Sequence, residues 1–427
     1  MADCHTHQAS RMKIAIVGSG IAGNVAAYCL RDDHDITVFE SNDYVGGHVN
    51  TVGVVEDDAR VMIDTGFIVF NNWTYPKFTA LLEELGVASK PSSMSFSVQC
   101  GGNGLEYNGS TLNGLFAQRK NIFRASFYRM IWDILRFNRE APLAFSGDND
   151  ALLFDYLLEN QYSSVFIDYY LVPMCAAIWS SDPKAIVQAP GRFIARFLEN
   201  HGLLSINNRP TWYVVDGGSR EYVDKLVTGH RDRIRLSSPV QYIKRYSDSV
   251  DVKVRGAESE SFDYVFIACH SDEALALLQD PSAAEREVIG AIHYQANEAV
   301  LHTDESVLPK RRLAWAAWNC HIGEQHLGAL SVTYNMNILQ GLKSPRTYCV
   351  TLNGSDRIRA DKVIMRTTYK HPLFTRDSVA AQNRYSDLNG KNRTFYCGAY
   401  WGNGFHEDGV VSSQTAVKQF EGHIQNE

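Results

Sequence analysis

The sequence lacks any apolar run of the ~18 residues that a membrane-spanning helix needs. It also lacks an excess of positive charge, because 41 Lys and Arg residues stand against 48 Asp and Glu residues and give a net charge of −7 at pH 7. A chain with this balance has no general affinity for polyanions, so we expect no nucleic-acid partner. Residues 1–11 are polar, unlike the apolar core of a secretory signal, and we expect a disordered leader and a cytoplasmic protein.

Cysteine is scattered, and none of the eight cysteines forms a C-x-x-C pair. Several lie in apolar runs, as Cys269 does in V-F-I-A-C. We therefore expect reduced thiols in the core rather than a disulfide framework or a zinc site, and we expect no metal. The sequence also lacks a Walker phosphate loop and a Ser-His-Asp arrangement, so the chemistry must come from another kind of site.

The best-defined pattern lies in residues 13–40, which read as strand, glycine turn, helix, strand and acid. The turn is G-S-G-I-A-G at residues 18–23. In a dinucleotide site Gly18 allows the tight turn, Gly20 lets the backbone approach a pyrophosphate, and Gly23 lets the helix pack closely. The helix N-terminus offers free N–H groups to the phosphates. Glu40, seventeen residues after Gly23, is placed to bind a ribose diol. The pattern predicts a dinucleotide site.

Two further glycine turns follow the acid. Gly46-Gly47 lies in a short loop after Glu40, and the sequence D-T-G at 64–66 ends the next apolar strand. A second close backbone approach beside the first is more than a nicotinamide fingerprint requires, and it favours a longer cofactor.

In this order, these turns resemble those of the flavin-containing amine oxidase and phytoene desaturase superfamily, and the resemblance spans nearly the whole chain. It implies an extended FAD, with the diphosphate on the first turn and the ribityl chain and ring near Gly46-Gly47. His48 stands where the superfamily commonly has arginine, and it is a weaker, pH-dependent donor. We expect non-covalent FAD, because Cys397 lies in the strand entering the site, away from the position where related oxidases attach the ring.

A narrower resemblance depends on three segments: I-W-S at 178–180, N-H-G-L-L at 200–204 and G-G-S-R at 217–220. Together with the Gly-Gly-His variant they are similar to FAD-binding oxidoreductase-like proteins associated with cyclopropane fatty acid synthases. This resemblance implies long acyl chains as the substrate class.

Residues 394–411 resemble the superfamily's last FAD segment, in which a helix N-terminus points at the flavin. His406 falls where some amine oxidases place an aromatic residue facing the ring, so we expect a catalytic role there; the alternative is a solvated loop histidine. The motif and the resemblance together imply cofactor contacts from Gly18, Gly20, Ile21, Ala22, Gly23, Glu40, Ser41, Gly46, Gly47, His48, Thr65, Gly66, Phe67, Val240, Gly398, Glu407, Asp408 and Val410.

The predicted fold is α/β, with a Rossmann-like FAD-binding domain whose parallel sheet carries helices on both faces. We assign residues 12–75, 205–290 and 391–427 to this domain, and 76–204 and 291–390 to an α+β substrate domain with a mostly antiparallel sheet. Strands of that sheet are predicted at 293–301, 313–319, 330–339 and 347–352 from alternating aromatic and β-branched residues. We expect Trp315, Trp318 and Tyr334 to line an apolar substrate cavity, although an aromatic stripe also fits plain core.

The longest helical pattern is 121–140, and basic residues of 119–139 surround its apolar stripe. It fits a basic amphipathic helix that touches an anionic membrane or receives a fatty carboxylate, which would make the protein membrane-peripheral. The sequence alone favours the alternative, a helix buried on one side with a solvated basic face.

Three functions follow from the resemblance. The first is an FAD-dependent oxidoreductase that oxidises or desaturates a hydrophobic, acyl-chain substrate. The second is an FAD-dependent fatty-acid double-bond isomerase without net redox, and the third is a non-catalytic flavoprotein partner of a lipid methyltransferase. The electron acceptor stays open among oxygen, a quinone and a partner protein.

Overall fold

The structure is a computed structural model that describes residues 11–57, 59–147, 151–324 and 330–425. The predicted leader 1–11 lies outside the described residues except for Arg11. Within these ranges we found no helix whose length and apolarity would suit it to crossing a membrane.

The strands are short, and several are fully apolar. In chain order they are β1 (Lys13–Val17), β2 (Asp35–Phe39), β3 (Thr51–Glu56), β4 (Ala59–Asp64), β5 (Val69–Asn71), β6 (Ser89–Ser92), β7 (Phe96–Cys100), β8 (Glu106–Asn108), β9 (Trp212–Val215), β10 (Ile234–Arg235), β11 (Val240–Arg245), β12 (Val250–Val254), β13 (Ser259–Phe262), β14 (Tyr264–Ile267), β15 (Tyr294–His302), β16 (Trp318–Ile322), β17 (Leu330–Asn335), β18 (Cys349–Leu352), β19 (Val363–Pro372) and β20 (Thr394–Tyr396).

Most helices lie between residues 76 and 200 or at the ends of the parallel strands. In chain order they are α1 (Ile21–Leu30), α2 (Pro76–Glu84), α3 (Leu112–Leu115), α4 (Ala125–Ala144), α5 (Leu153–Glu159), α6 (Ser164–Phe166), α7 (Val172–Trp179), α8 (Pro183–Val187), α9 (Gly191–Asn200), α10 (Arg220–Leu226), α11 (Ser271–Leu277), α12 (Ala283–Val288), α13 (Met336–Leu339), α14 (Arg376–Gln382) and α15 (His406–Ile424). A π-helical turn, Ile167–Leu171, joins α6 to α7.

A parallel sheet in the order β10-β2-β1-β14-β20 organises the first layer. Its central strands are apolar on both faces, as a parallel sheet covered on both sides requires. On one face α1 and α15 pack through Ala26 and Phe420. On the other face lie the antiparallel sheet β11-β12-β13 and the short helices α11 and α12. The predicted Rossmann-like parallel sheet is confirmed.

The second layer is a seven-stranded sheet in the order β19-β15-β18-β17-β16-β7-β8. β16 and β7 are parallel, and the other neighbouring pairs are antiparallel, which confirms the mostly antiparallel prediction. The helices α4 to α9 share a core with one end of this sheet, where Phe137 and Phe166 pack near Cys320.

Some predicted boundaries of this sheet are wrong. The predicted strand 313–319 begins only at Trp318, because Arg312–Ala314 forms a 3₁₀ turn. The predicted strand 330–339 ends at Asn335, whose side chain accepts the backbone N–H of Ile338 (3.2 Å) and caps α13. The ten-residue strand β19 was not predicted. The predicted helix 121–140 begins at Ala125, after a 3₁₀ turn at Arg119–Phe123.

Candidate functional site

A cavity of about 830 Å³ lies between the two sheets. The residues that follow the parallel strands line one end of it: Gly18 after β1, Glu40 after β2, Ala268 after β14 and Gly398 after β20. Ligands of open α/β sheets bind at this carboxyl edge of the strands. The volume lies in the upper part of the range found for small-molecule sites.

Most of the predicted contacts line this cavity, and some do not. On the wall are Gly18, Gly20, Ile21, Ala22, Glu40, Ser41, Gly46, Gly47, His48, Gly66, Phe67, Gly398 and His406, together with the predicted substrate contacts Trp318 and Tyr334. Off the wall are Gly23, Thr65, Val240, Glu407, Asp408, Val410 and Trp315.

The first glycine turn is shaped as an open cradle. A Cβ added at Gly20 would meet no atom within 4 Å, whereas one added at Gly23 would lie 1.9 Å from the Gly18 carbonyl oxygen. Gly47, with φ +60°, lies beside Gly20, and a Cβ there would come 3.1 Å from the Gly20 Cα. The N-terminus of α1 begins at Ile21, so its unsatisfied N–H groups face this open space. The cradle suits a pyrophosphate.

Glu40 ties the first turn to the loop that follows β2. Its Oε2 accepts from the Ser19 N–H (2.9 Å) and hydroxyl (2.6 Å), and its Oε1 accepts from the N–H (2.8 Å) and amide (2.9 Å) of Asn42. Both oxygens of the buried carboxylate are therefore engaged, and a ligand hydroxyl would share them with these donors.

Three half-buried histidines, His48, His270 and His371, form one wall of the cavity. The ring centroid of His48 lies 5.7 Å from that of His270 and 5.6 Å from that of His371. Burial lowers the pKa of His48 and of His270 to about 4, and that of His371 to about 3, so all three are neutral near pH 7. His48 donates from Nε2 to the Lys370 carbonyl (3.2 Å), and His371 Nδ1 accepts from the Asn297 amide (2.8 Å).

Some polar atoms on the wall are left for a ligand. The His270 Nδ1, the Tyr400 hydroxyl and the Trp318 Nε1 are buried and have no hydrogen-bond partner among the described residues. A buried polar atom without a partner costs free energy, so such atoms mark places where a bound molecule completes the site.

His406, the predicted catalytic residue, is the first residue of α15 and lies on the cavity wall. Its ring stacks on Phe67 with centroids 3.5 Å apart, and its Nε2 lies 2.9 Å from the Tyr222 hydroxyl. Burial lowers the pKa of His406 far below its ordinary value, so the imidazole is neutral. It is therefore a buried ring in an aromatic stack, and the solvated-loop alternative is wrong.

Three of the predicted contacts that lie off the wall form hydrogen bonds with residues around the site. Glu407 accepts the backbone N–H groups of Lys77 (2.9 Å) and Phe78 (2.8 Å) at the start of α2, and Asp408 accepts that of Phe405 (2.9 Å). The Thr65 hydroxyl lies 2.8 Å from that of Tyr369, a wall residue.

Besides Gly23 of the first turn, three further off-wall residues are held by packing or by another partner. Val410 is fully buried in a core with Val25 and Tyr222. Val240 packs against the core beneath the parallel sheet. The Trp315 indole donates to the Pro309 carbonyl (2.7 Å), away from the cavity.

The opposite end of the cavity is largely apolar and aromatic. Trp318 and Tyr334 meet edge to face with centroids 5.1 Å apart. The further wall residues at this end are Met94, Phe96, Tyr107, Tyr170, Met174, Ile178, Phe197, Leu203 and Leu339.

Three cationic side chains also line the cavity. Arg366 pairs with Glu298 (2.8 Å), and Lys370 pairs with Glu273 (3.2 Å). Arg209 differs, since it donates to the Ser205 carbonyl (2.7 Å) and pairs with no carboxylate in the part of the chain that the structure describes. Its charge acts on the half-buried Tyr170: burial raises the pKa of this tyrosine to about 12, and Arg209 partly offsets that rise.

Several wall residues were not predicted as site residues. Tyr369 and His371 lie on β19, whose sequence alternates half-buried and exposed residues, so a period of two could have revealed the strand. Arg209 and Tyr170 come from a loop and a π-helical turn, and no local pattern in the sequence points to them.

The fold and the cradle define an α/β flavoprotein with a dinucleotide site at the carboxyl edge of its parallel sheet. The family model for flavin-containing amine oxidoreductases matches residues 21–337, and the chain belongs to that family. Members of the family bind FAD and are FAD-dependent oxidoreductases, so this chain is one as well. No curated protein matches the sequence.

Solved structures share the fold at low sequence identity. A cyclohexylamine oxidase from Brevibacterium oxydans IH-35A is 15% identical with a TM-score of 0.68, over 97% of this chain and 100% of that chain. A CLA-producing fatty acid isomerase from P. acnes is 15% identical with a TM-score of 0.68, over 96% and 98%. A putrescine oxidase bound to putrescine is 14% identical with a TM-score of 0.66, over 96% and 99%.

Proposed function

We propose that this protein uses FAD to oxidise or desaturate a hydrophobic substrate with an acyl chain. The observation that carries the proposal is the continuity of one cavity from the glycine cradle to the apolar section around Trp318 and Tyr334. A long apolar chain would bury its surface there at about 25 cal/mol per Å².

The chemistry that FAD supplies when bound is that of a hydride acceptor for a substrate C–H bond. The chain's own residues supply the surroundings. The neutral rings of His48 and His371 offer hydrogen bonds without adding charge, and Lys370 and Asn297 fix which ring nitrogen carries the proton. The aromatic walls exclude water from the reacting region.

Arg209 favours an acid over an amine as substrate. A guanidinium without a carboxylate partner attracts a fatty carboxylate and repels an ammonium group. Of the cations on the wall, Arg366 and Lys370 are already paired, so within the described chain Arg209 is the side chain best placed to receive a carboxylate.

An isomerase without net redox is the second candidate. The observation in its favour is the shared fold with the fatty acid isomerase from P. acnes, which covers nearly the whole chain. Both functions need the same apolar cavity. They differ in whether the electrons taken from the substrate pass to an external acceptor or return to the product.

Anaerobic mixing of FAD-loaded protein with long-chain fatty acids, their methyl esters and long-chain primary amines tests the proposal. We expect the flavin absorbance to bleach lastingly with an acyl substrate and an oxidised product to accumulate. Rearranged product without lasting bleaching would establish the isomerase. Bleaching by amines alone would contradict both and establish an amine oxidase instead. No reaction with any of these compounds would also contradict both and would leave a non-catalytic partner.

A further inference from the structure

Helix α4 presents an exposed apolar stripe that nothing in the described chain covers. Tyr128, Trp132, Leu135 and Leu143 are 47%, 59%, 45% and 76% exposed, and Phe123 in the preceding turn is 89% exposed. We call these five residues the α4 outer face. Their positions on the helix are separated by four, three and eight residues, so they form one stripe along the axis.

The opposite side of the same helix is already buried. Phe127, Met130 and Phe137 are nearly inaccessible and belong to the core of the helical region. An ordinary surface helix turns polar residues outward, whereas α4 is apolar on both sides. An exposed apolar stripe of this kind, which the exposed Arg139 interrupts only between Leu135 and Leu143, marks an interaction site.

Basic side chains surround the α4 outer face. The segment carries six cations (Arg119, Lys120, Arg124, Arg129, Arg136 and Arg139) and two acids, of which Asp133 is completely buried. Asp133 pairs with Arg129 (3.0 Å), and the other acid, Glu140, pairs with both Arg136 (2.9 Å) and Arg139 (3.2 Å). The face is therefore locally cationic in a chain with a net charge of −7.

We propose that the α4 outer face docks on an anionic lipid bilayer. Exposed Trp, Tyr, Phe and Leu with a rim of arginine and lysine is the composition of a helix that lies in a membrane interface. The rim complements anionic headgroups. A protein partner would need acidic groups in a matching pattern, whereas a bilayer offers apolar depth and negative charge together.

The segment 109–119 connects the cavity wall to the start of the basic segment that carries the α4 outer face. Gly109 and Ser110 line the cavity, and Leu112, two residues further on, is 78% exposed. Arg119, at the start of the basic segment, donates to the Asn113 side chain in α3 (2.6 Å). If the proposed function holds, membrane contact at this face would bring the protein to the compartment that holds its acyl substrate. The membrane contact itself does not depend on the identity of the substrate.

Vesicle co-sedimentation of the FAD-loaded full chain tests this proposal. We expect binding to vesicles of phosphatidylcholine with phosphatidylglycerol, weaker binding to phosphatidylcholine alone, and loss of binding in high salt. The double variant Phe123→Ser/Trp132→Ser should bind at least about fivefold less. The charge variant Lys120→Glu/Arg139→Glu should lose the preference for anionic vesicles.

The matched control is Val55→Ser/Ile364→Ser, which removes exposed apolar side chains from β3 and β19 and should bind as the native chain does. Melting temperatures show whether each variant folds. Equal vesicle binding by native chain and Phe123→Ser/Trp132→Ser would overturn the proposal, as would absence of vesicle binding. Light scattering that showed a dimer abolished by Phe123→Ser/Trp132→Ser, without vesicle binding, would assign the face to a second copy instead.

Discussion

Two glycines of the first turn serve different purposes, and they can be separated by substitution. Gly20 has an extended backbone with open space beside it, so Gly20→Val should fold normally while its side chain fills the cradle. Gly23→Ala would place a Cβ 1.9 Å from the Gly18 carbonyl oxygen and should destabilise the fold itself. We expect Gly20→Val to purify colourless with a native melting temperature, and Gly23→Ala to melt lower. If Gly20→Val held as much FAD as the native protein, the assignment of the first glycine turn to pyrophosphate binding would be contradicted.

Arg209 gives a second test at the scale of a residue. Arg209→Gln should raise the KM for a long-chain acid roughly tenfold, because a charge-assisted hydrogen bond is lost. The KM for the methyl ester should not change, and Arg209→Lys should recover part of the loss. A KM for the acid that is insensitive to Arg209→Gln would remove this residue from substrate binding and leave the FAD site untouched.

At the scale of elements, α15 and α2 are joined by a cap that the sequence did not reveal. Tyr75, the residue before α2, provides no side-chain cap, and Glu407 of α15 accepts two N–H groups of that helix in its place. Glu407→Ala should lower the free energy of unfolding by about 1–2 kcal/mol while FAD content is kept. Thermal melting with flavin quantification measures both. If Glu407→Ala lost FAD while its stability was unchanged, Glu407 would be a cofactor-binding residue rather than a helix cap.

Some secondary-structure elements could be predicted from the sequence and others could not. β1, α1 and β2 follow from neighbours in the chain: apolar runs, a glycine turn and a helical period, all within 30 residues. The first part of the strand predicted at 313–319 is absent because residues 312–314 form a 3₁₀ turn and the Trp315 indole donates to the nearby Pro309 carbonyl. β19 escaped prediction because the exposed Ile364 is apolar while the half-buried Thr367 and His371 are polar, and both departures weaken the alternation.

At the scale of the molecule, the cavity is made by contacts between distant parts of the chain. The glycine cradle could be predicted because a fingerprint encodes it locally. The histidine wall could not, because His48, His270 and His371 meet only when the two sheets pack together. Of the residues off the wall, Val240, Glu407, Asp408 and Val410 were predicted from the family resemblance. A match in position along α15 does not say which side of the helix faces the cavity.

Buried neutral histidines predict how stability depends on pH. Burial lowers the pKa to about 4 for His48, His201, His230, His270, His302 and His321, and to about 3 for His371. Between pH 6.5 and 4 the unfolded chain binds protons at these rings and the folded chain does not, so stability falls as the pH falls through this window. Asp64 and Asp408, with pKa values raised to about 6, act in the opposite sense but are fewer. We expect the melting temperature to drop by at least about 5 °C from pH 7 to pH 5. A melting temperature that is flat or rises over this interval would contradict the neutral state of the histidines.

The central claim is that FAD and an acyl chain share one cavity, with the cofactor in the glycine cradle and the chain in the aromatic section. A crystal structure of the FAD-loaded protein with a saturated long-chain fatty acid tests it most directly. The account predicts FAD density beside Gly20 and Gly47, and chain density in the apolar section against Trp318 and Tyr334, with the carboxylate towards Arg209. An acyl chain bound elsewhere, or an FAD whose pyrophosphate lies away from the N-terminus of α1, would contradict it.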